Sequence, residues 1–412
     1  MRRKSSCCKY SDAKASSFIE NIGMKHKTKY KFDTQLIHEG EEQAQAGRSV
    51  IAPIYRSSTY EMDGESIYHE ILYGRLNNSP AHKALHQKLA RLEAAEDALT
   101  FASGMAAITM ALLSVLRPGD HIIAQKCVYG GTYGFLLDEA EALGIEVSWA
   151  DMESPDSWES LIKDNTKMFY LESMSNPLLQ VPDFDTVVQF AKKHSLKTMI
   201  DNTFASPYCF RPIEHGIDIV VHSATKYING HTDVIAGCVM GTKASIDQMK
   251  KKLSHFGGCL DPQACYLLNR GLKTLSVRMD RQNANALKLA QFLDAHKLVG
   301  RVNYPGLPEN QFHANASKYF SNGFGGMLSF ELESKEVAKK LIAALQIPAE
   351  APSLGGVESL VILPCESSHV GQSKSDLEAM GLKDSLVRVS VGIESIGDLI
   401  DDFTQALDRQ TS

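Results

Sequence analysis

The chain has 412 residues, 43% hydrophobic and 22% charged, enough to bury two domain cores in a globular protein. A formal net charge of -6 argues against nucleic-acid binding as the main task, and no apolar run approaches the ~18 residues of a membrane-spanning helix. The eight cysteines include no Cys-x-x-Cys pair and no His/Cys cluster at zinc spacing. No metal site is expected, therefore, and the thiols are expected to be reduced and mostly buried in a cytoplasmic protein.

Residues 1–31 carry Arg2, Arg3, Lys4, Lys9, Lys14, Lys25, Lys27, Lys29 and Lys31 against only Asp12 and Glu20. Such a segment is expected to be a disordered extension. An organelle presequence is the sharper alternative, being basic and acid-poor, but no convincing amphipathic helix is present. Met24 offers an alternative start.

From residue 84 onward, short apolar runs alternate with helical patterns. Leu85, Leu89 and Leu92 share one face of a helix over 84–93. The stretch Ala98-Leu99-Thr100-Phe101-Ala102-Ser103-Gly104-Met105 runs into a helix through Ile108, Leu112 and Leu116. Free N–H groups at that helix start favour an anion such as phosphate, although Ser-Gly at a helix start is common. Strands are predicted over 121–124, 145–149, 168–171, 197–200 and 217–221, and helices over 135–143 and 183–194. This alternation predicts a mostly parallel sheet with helices on both faces. Beyond about residue 260 the texture changes. A long helix over 281–296, half-exposed strands over 326–332 and 386–391, and helices over 334–345 and 398–407 predict a smaller α+β domain.

The reactive groups follow the predicted strands. Glu172 and Asn176 follow one run, Asp201 the next, and Ser223, Thr225 and Lys226 a third. In open α/β sheets the crevice lies outside the carboxyl ends of the strands, so these residues should converge. Lys226, between a buried strand and an Asn229-Gly230 turn, can be partly desolvated and so more nucleophilic; a solvated surface lysine is the plain alternative. Ser-x-x-Lys also occurs in penicillin-binding enzymes, but their Ser-Asp-Asn and Lys-Thr-Gly elements are missing. Asp201, at the end of an apolar strand, needs a cationic partner such as a protonated pyridine nitrogen, unless it is merely a turn aspartate. Arg388 sits in an apolar strand and suits a carboxylate held by two hydrogen bonds; a structural salt bridge is the alternative.

The motifs Tyr73-x-Arg75, Ser103-Gly104-Met105, Val128-Tyr129-Gly130-Gly131-Thr132 and Glu172-x-x-Ser175-Asn176-Pro177 follow one another in order. Asp201-Asn202-Thr203-Phe204, His222-Ser223-Ala224-Thr225-Lys226-Tyr227, Ser353-Leu354-Gly355-Gly356 and Arg388-Val389-Ser390-Val391-Gly392 continue the series. From about Phe32 to the C-terminus the chain resembles the transsulfuration (Cys/Met metabolism) enzymes that use pyridoxal 5′-phosphate (PLP), such as cystathionine γ-synthase and γ-lyase.

The resemblance implies an α/β protein of the PLP-dependent transferase fold type I, with a seven-stranded large-domain sheet. It divides the chain into an arm (32–80) serving the neighbouring subunit's site, a cofactor-binding domain (81–260) and a small domain (261–412). It also implies a homotetramer of tight dimers. Lys226 would carry the cofactor as a Schiff base and move protons, Asp201 would face the pyridine nitrogen, and Tyr129 would stack on the ring. Gly104, Met105, Ser223 and Thr225 would bind phosphate, with Tyr73 and Arg75 supplied by the neighbouring subunit. Asn176, Ser353 and Arg388 would hold the substrate's amino-acid end.

Some positions depart from the family pattern. Proline comes one place late in Asn77-Asn78-Ser79-Pro80, so this loop is expected to differ in shape. Leu72, Gly134 and Pro352 replace polar residues with which cystathionine γ-lyases grip the far end of their substrate, and Gly131 stands where methionine γ-lyases carry cysteine. The expected activity is γ-synthase-like, replacing the leaving group of a homoserine ester by a thiol such as cysteine. The alternatives are a C–S lyase of the cystathionine β-, cystathionine γ- or methionine γ-lyase type, releasing keto acid, ammonia and a thiol, and a non-catalytic cofactor-binding protein.

Overall fold

The computed structural model describes residues 30–43, 45–47, 49–62, 71–367 and 381–410; the extension call on 1–31 falls almost entirely outside them. Seven strands form the larger sheet: β1 (Asp97–Phe101), β2 (His121–Gln125), β3 (Glu146–Ala150), β4 (Thr166–Glu172), β5 (Lys197–Asp201), β6 (Ile219–His222) and β7 (Gly237–Gly241). Their order is β1-β7-β6-β5-β4-β2-β3. Every pairing from β6 across to β3 is parallel, whereas β7 runs antiparallel to both β1 and β6.

Alternate side chains of these strands enter different cores, which explains why the runs are apolar throughout rather than alternating. Ile123, Phe169, Leu171, Ile200 and Val220 pack on one face, with the helix α1 (Pro80–Leu92). Ile122, Met168, Tyr170, Met199 and Val221 pack on the other, with α2 (Gly104–Val115) and α3 (Lys243–Phe256). In this loop Asn77 takes a left-handed conformation (φ 53°), and Ser79 caps α1 with Pro80 in its first turn. Asn77 also ties the loop down, donating from Nδ2 to Thr100 O at 2.6 Å and accepting from Leu260 N at 3.0 Å.

The second sheet has the order β10-β11-β12-β9-β8, made of β8 (Val302–Asn303), β9 (Met327–Glu331), β10 (Ala349–Glu350), β11 (Leu360–Ile362) and β12 (Leu386–Ser390). The long helix α4 (Leu275–Asp294) and the last helix α5 (Ile396–Asp408) pack with it around Leu328, Phe330, Val387, Val389 and Phe403. Three expectations need correction. The half-exposed strands are buried along their whole length, because α4 and α5 pack on them while Ser329 and Arg388 meet Pro177 and Asn176 in the segment after β4. The long helix begins at Leu275 rather than near 281. The helix expected over 135–143 starts earlier, at Gly130, and passes through a π-turn at Phe135–Glu139.

Candidate active site

The carboxyl ends of β4, β5 and β6 deliver Glu172, Asp201 and His222 side by side, with Glu172 paired in register to Asp201. Asp201 is buried, and burial raises its pKa. Both its hydrogen bonds converge on Oδ1, from Thr203 N at 2.9 Å and Thr203 Oγ1 at 2.5 Å. Oδ2 has no such partner among the described residues, so the carboxylate presents one uncommitted oxygen to a cation. Behind it, His222 Nε2 lies 2.5 Å from Glu93 Oε1, which also accepts from Asn202 Nδ2 at 3.1 Å. Neither Glu93 nor Thr203 was singled out in the sequence; only Glu93's place at the end of an amphipathic helix could have hinted at an inward turn.

Lys226 follows β6 by four residues, in a tight turn where its N–H donates to Ser223 O at 3.1 Å. Its Nζ donates to Ser353 Oγ at 2.7 Å. Burial first, and then the charge of Arg388, bring the Lys226 amine down to about 8. Roughly a tenth of it is therefore neutral near pH 7, far more than for a solvated lysine. Arg388 projects from β12, 96% buried, and donates from Nη1 to Asn176 Oδ1 at 2.9 Å and from Nη2 to Ser353 O at 3.2 Å. Those two bonds aim the guanidinium and leave N–H groups to spare. Among the described residues no carboxylate is paired with it. Ser353 is held at φ 107°, and Gly355 beside it at φ 77°, where a Cβ would lie 2.7 Å from Tyr227 N. The Ser353 loop can lie on the lysine turn only because Gly355 lacks a side chain.

The helix expected after Ser103 begins at Gly104. Ser103 caps α2, its Oγ accepting from Ala106 N at 3.0 Å, and the first N–H groups of the helix, on Gly104 and Met105, have no acceptor within it. A Cβ on Gly104 would lie 2.8 Å from Ser223 Cβ, so the glycine lets the helix start meet the Ser223 hydroxyl. Thr225 serves the wall instead: its Oγ1 donates to Ala236 O at 3.2 Å and accepts from Ala236 N at 2.9 Å. Tyr129 stands beside this cradle, 41% exposed. Tyr73 and Arg75 are placed elsewhere: the Arg75 guanidinium lies over the Tyr73 ring and donates to Ser254 O at 2.5 Å.

These residues fit PLP. Helix N–H groups and a free serine hydroxyl match its phosphate, a half-committed buried carboxylate matches its ring nitrogen, and a lysine of lowered pKa matches its aldehyde.

The model of the Cys/Met metabolism PLP-dependent enzymes matches residues 33–408. The chain is 41% identical over 378 residues to the cystathionine β-lyase of Lactococcus lactis subsp. cremoris (strain MG1363), spanning 92% of this chain and 99% of that one. It is 40% identical over 377 residues to the cystathionine γ-synthase of Mycobacterium leprae (strain TN), spanning 91% and 96%. Among solved structures, cystathionine γ-synthase from Xanthomonas oryzae pv. oryzae, in complex with aminoacrylate and cysteine, superimposes with a TM-score of 0.89 at 34% identity, covering 93% and 99%.

Proposed function

The chain belongs to the Cys/Met metabolism PLP-dependent enzymes, and we propose that within them it is a cystathionine γ-synthase-like catalyst that replaces the leaving group of a homoserine ester by a thiol. The observation that carries its action on amino acids is the Arg388 fork, fixed by Asn176 and Ser353 beside the Lys226 amine. A guanidinium held by its own neighbours, with N–H groups to spare, is preorganised for a substrate carboxylate.

When bound, PLP supplies an electron sink for negative charge at the substrate's α-carbon. The residues do the rest. Lys226 would hold the cofactor through Nζ, and the same amine in its neutral form would take and return the substrate's α-proton, with Ser353 Oγ orienting it. Asp201 would hold the cofactor's ring nitrogen in its protonated form, with Thr203 fixing the carboxylate through Oδ1. Gly104, Met105 and Ser223 hold the phosphate, while Thr225 fixes the wall behind it. Tyr129, beside the helix start, would hold the cofactor by ring contact, with its hydroxyl available to pass a proton between the lysine and the substrate amine. Arg388 holds the carboxylate, and its charge beside Nζ favours the neutral amine that can accept a proton.

The proposal extends to a cytoplasmic homotetramer of tight dimers, in which the arm of 32–80 brings Tyr73 and Arg75 to the neighbouring subunit's phosphate. Residues 81–260 would form the cofactor domain and 261–412 the small one.

A second activity, cleavage of cystathionine to keto acid, ammonia and a thiol, is favoured by the β-lyase likeness at 41% identity. Incubation with O-acylhomoserine plus cysteine, and separately with cystathionine alone, separates the two. Cystathionine formed in the first mixture supports the synthase. Keto acid and ammonia from the second, with nothing formed in the first, overturn it.

A further inference from the structure

Tyr129 is 41% exposed, so side-chain packing alone does not fix the direction of its ring. The ring lies over Gly131, where a Cβ would come within 2.6 Å of Tyr129 Cε1 and 3.1 Å of Met105 Sδ. What fixes the Tyr129 backbone is a side chain from another element: Glu172 Oε1, at the end of β4, accepts the Tyr129 N–H at 2.6 Å. Glu172 is itself immobilised, 96% buried, with its own N–H donating to Gln125 Oε1 at 2.9 Å.

Among the described residues no cation acts on this second carboxyl group. The groups acting on Glu172 are Asp201, across the register, and the amides of Tyr129 and Asn176. Burial, and then the Asp201 charge, push it well above the usual carboxylate range. In its protonated form a carboxyl group still accepts an amide hydrogen through its carbonyl oxygen and places no second negative charge beside Asp201. An amide side chain could do the same.

We propose that Glu172 is a positioning residue for Tyr129: its carboxyl oxygen, through the Tyr129 amide, sets how the tyrosine ring meets the cofactor ring. This deepens the cofactor assignment and rests on Lys226 carrying PLP. Glu172 touches neither substrate nor cofactor and acts through the backbone two strands away from β6, where Lys226 departs.

The test uses full-length protein carrying Glu172→Gln or Glu172→Met, each alone and combined with Tyr129→Ala. Methionine fills the volume but cannot accept the amide hydrogen. PLP is titrated into each apoprotein, following its dissociation constant and the visible-region circular dichroism of the bound cofactor. Glu172→Met is expected to weaken PLP binding about tenfold and to diminish the visible band. Glu172→Gln is expected to retain the band, and with Tyr129→Ala already present the methionine is expected to change affinity less than about twofold. A glutamine variant as impaired as the methionine one, or a methionine effect undiminished by Tyr129→Ala, overturns the proposal. Should the methionine variant not fold, glutamine decides alone: a retained band supports the role and a lost band overturns it. Borohydride reduction of the unsubstituted holoprotein reports separately on the underlying assignment. Without a tag on Lys226 the cofactor assignment fails; with the tag and a failed glutamine rescue, only the positioning role does.

Discussion

Thr203 stands 2.5 Å from Asp201, its hydroxyl donating to Oδ1, and the same hydroxyl oxygen accepts the Ser223 N–H at 2.8 Å. One side chain thus ties the Asp201 carboxylate, proposed above for the cofactor's ring nitrogen, to the end of β6 that carries Ser223, proposed for its phosphate. The two anchor points are set relative to each other through Thr203 rather than by the sheet alone.

Removing that hydroxyl should be felt in the affinity for PLP. Burial already raises the Asp201 pKa, and the Thr203 bonds oppose that rise. In Thr203→Val the carboxyl group is protonated up to a higher pH, so it faces the ring nitrogen without its charge over a wider range. PLP binding is expected to weaken about tenfold near neutrality. As pH falls, affinity should begin to drop at a higher pH than in the unsubstituted protein. Equilibrium titration of apoprotein from about pH 5.5 to about pH 8.5 checks both points; identical pH profiles would contradict them.

The lowered pKa of Lys226 has a kinetic consequence. Only the neutral amine attacks an aldehyde, and burial with the nearby Arg388 charge brings this amine down to about 8. The rate at which apoprotein captures PLP should rise with pH and level off above about 8. A rate still climbing steeply toward the ordinary lysine range would show that the amine is solvated. In Arg388→Met the plateau is expected to shift to higher pH, because the repelling charge is gone.

Gly104→Ala probes the cradle by shape alone. The new Cβ would sit 2.8 Å from Ser223 Cβ and 2.9 Å from its Oγ, closer than real contacts allow. The helix start and the serine must separate, so the phosphate loses donors from one side. Affinity for PLP should fall at least about tenfold, while affinity for the phosphate-free aldehyde changes little. Comparing the two ligands by titration distinguishes a phosphate defect from general damage.

Behind the site, Glu93 and His222 are both buried to 99% of their surface, and Glu93 also accepts from Asn202 Nδ2 at 3.1 Å. Glu93→Ala strands the imidazole and one amide hydrogen bond inside the protein. The expected cost is about 3 kcal/mol, read as a lower unfolding midpoint of the apoprotein. Glu93→Gln keeps an acceptor oxygen and should lose clearly less. Equal losses would mean that volume matters here and the hydrogen bonds do not.

The periodicity of the chain determined a good deal by itself. Apolar runs closed by turns located β2, β4, β5 and β6, and the polar residues after them, Asp201, Ser223 and Lys226, came out at neighbouring strand ends because parallel strands all discharge at one edge. The helix start at Gly104 was legible for the same local reason: a serine cap and a glycine leave N–H groups free. β7 was not, since its Gly237-Cys238-Val239-Met240-Gly241 run has no alternation and pairs antiparallel between two strands distant in sequence. The burial of β9 and β12 escaped too, because alternating residues look half-exposed until a second layer covers them. Only the tertiary structure could decide that Arg388 meets Asn176, 212 positions away, that Lys226 reaches Ser353, 127 away, and that Glu93 turns inward to His222, 129 away. Local spacing encodes which face a side chain takes. Which partner waits there depends on how separate elements pack, and a buried polar group shows its meaning only beside the one that satisfies it.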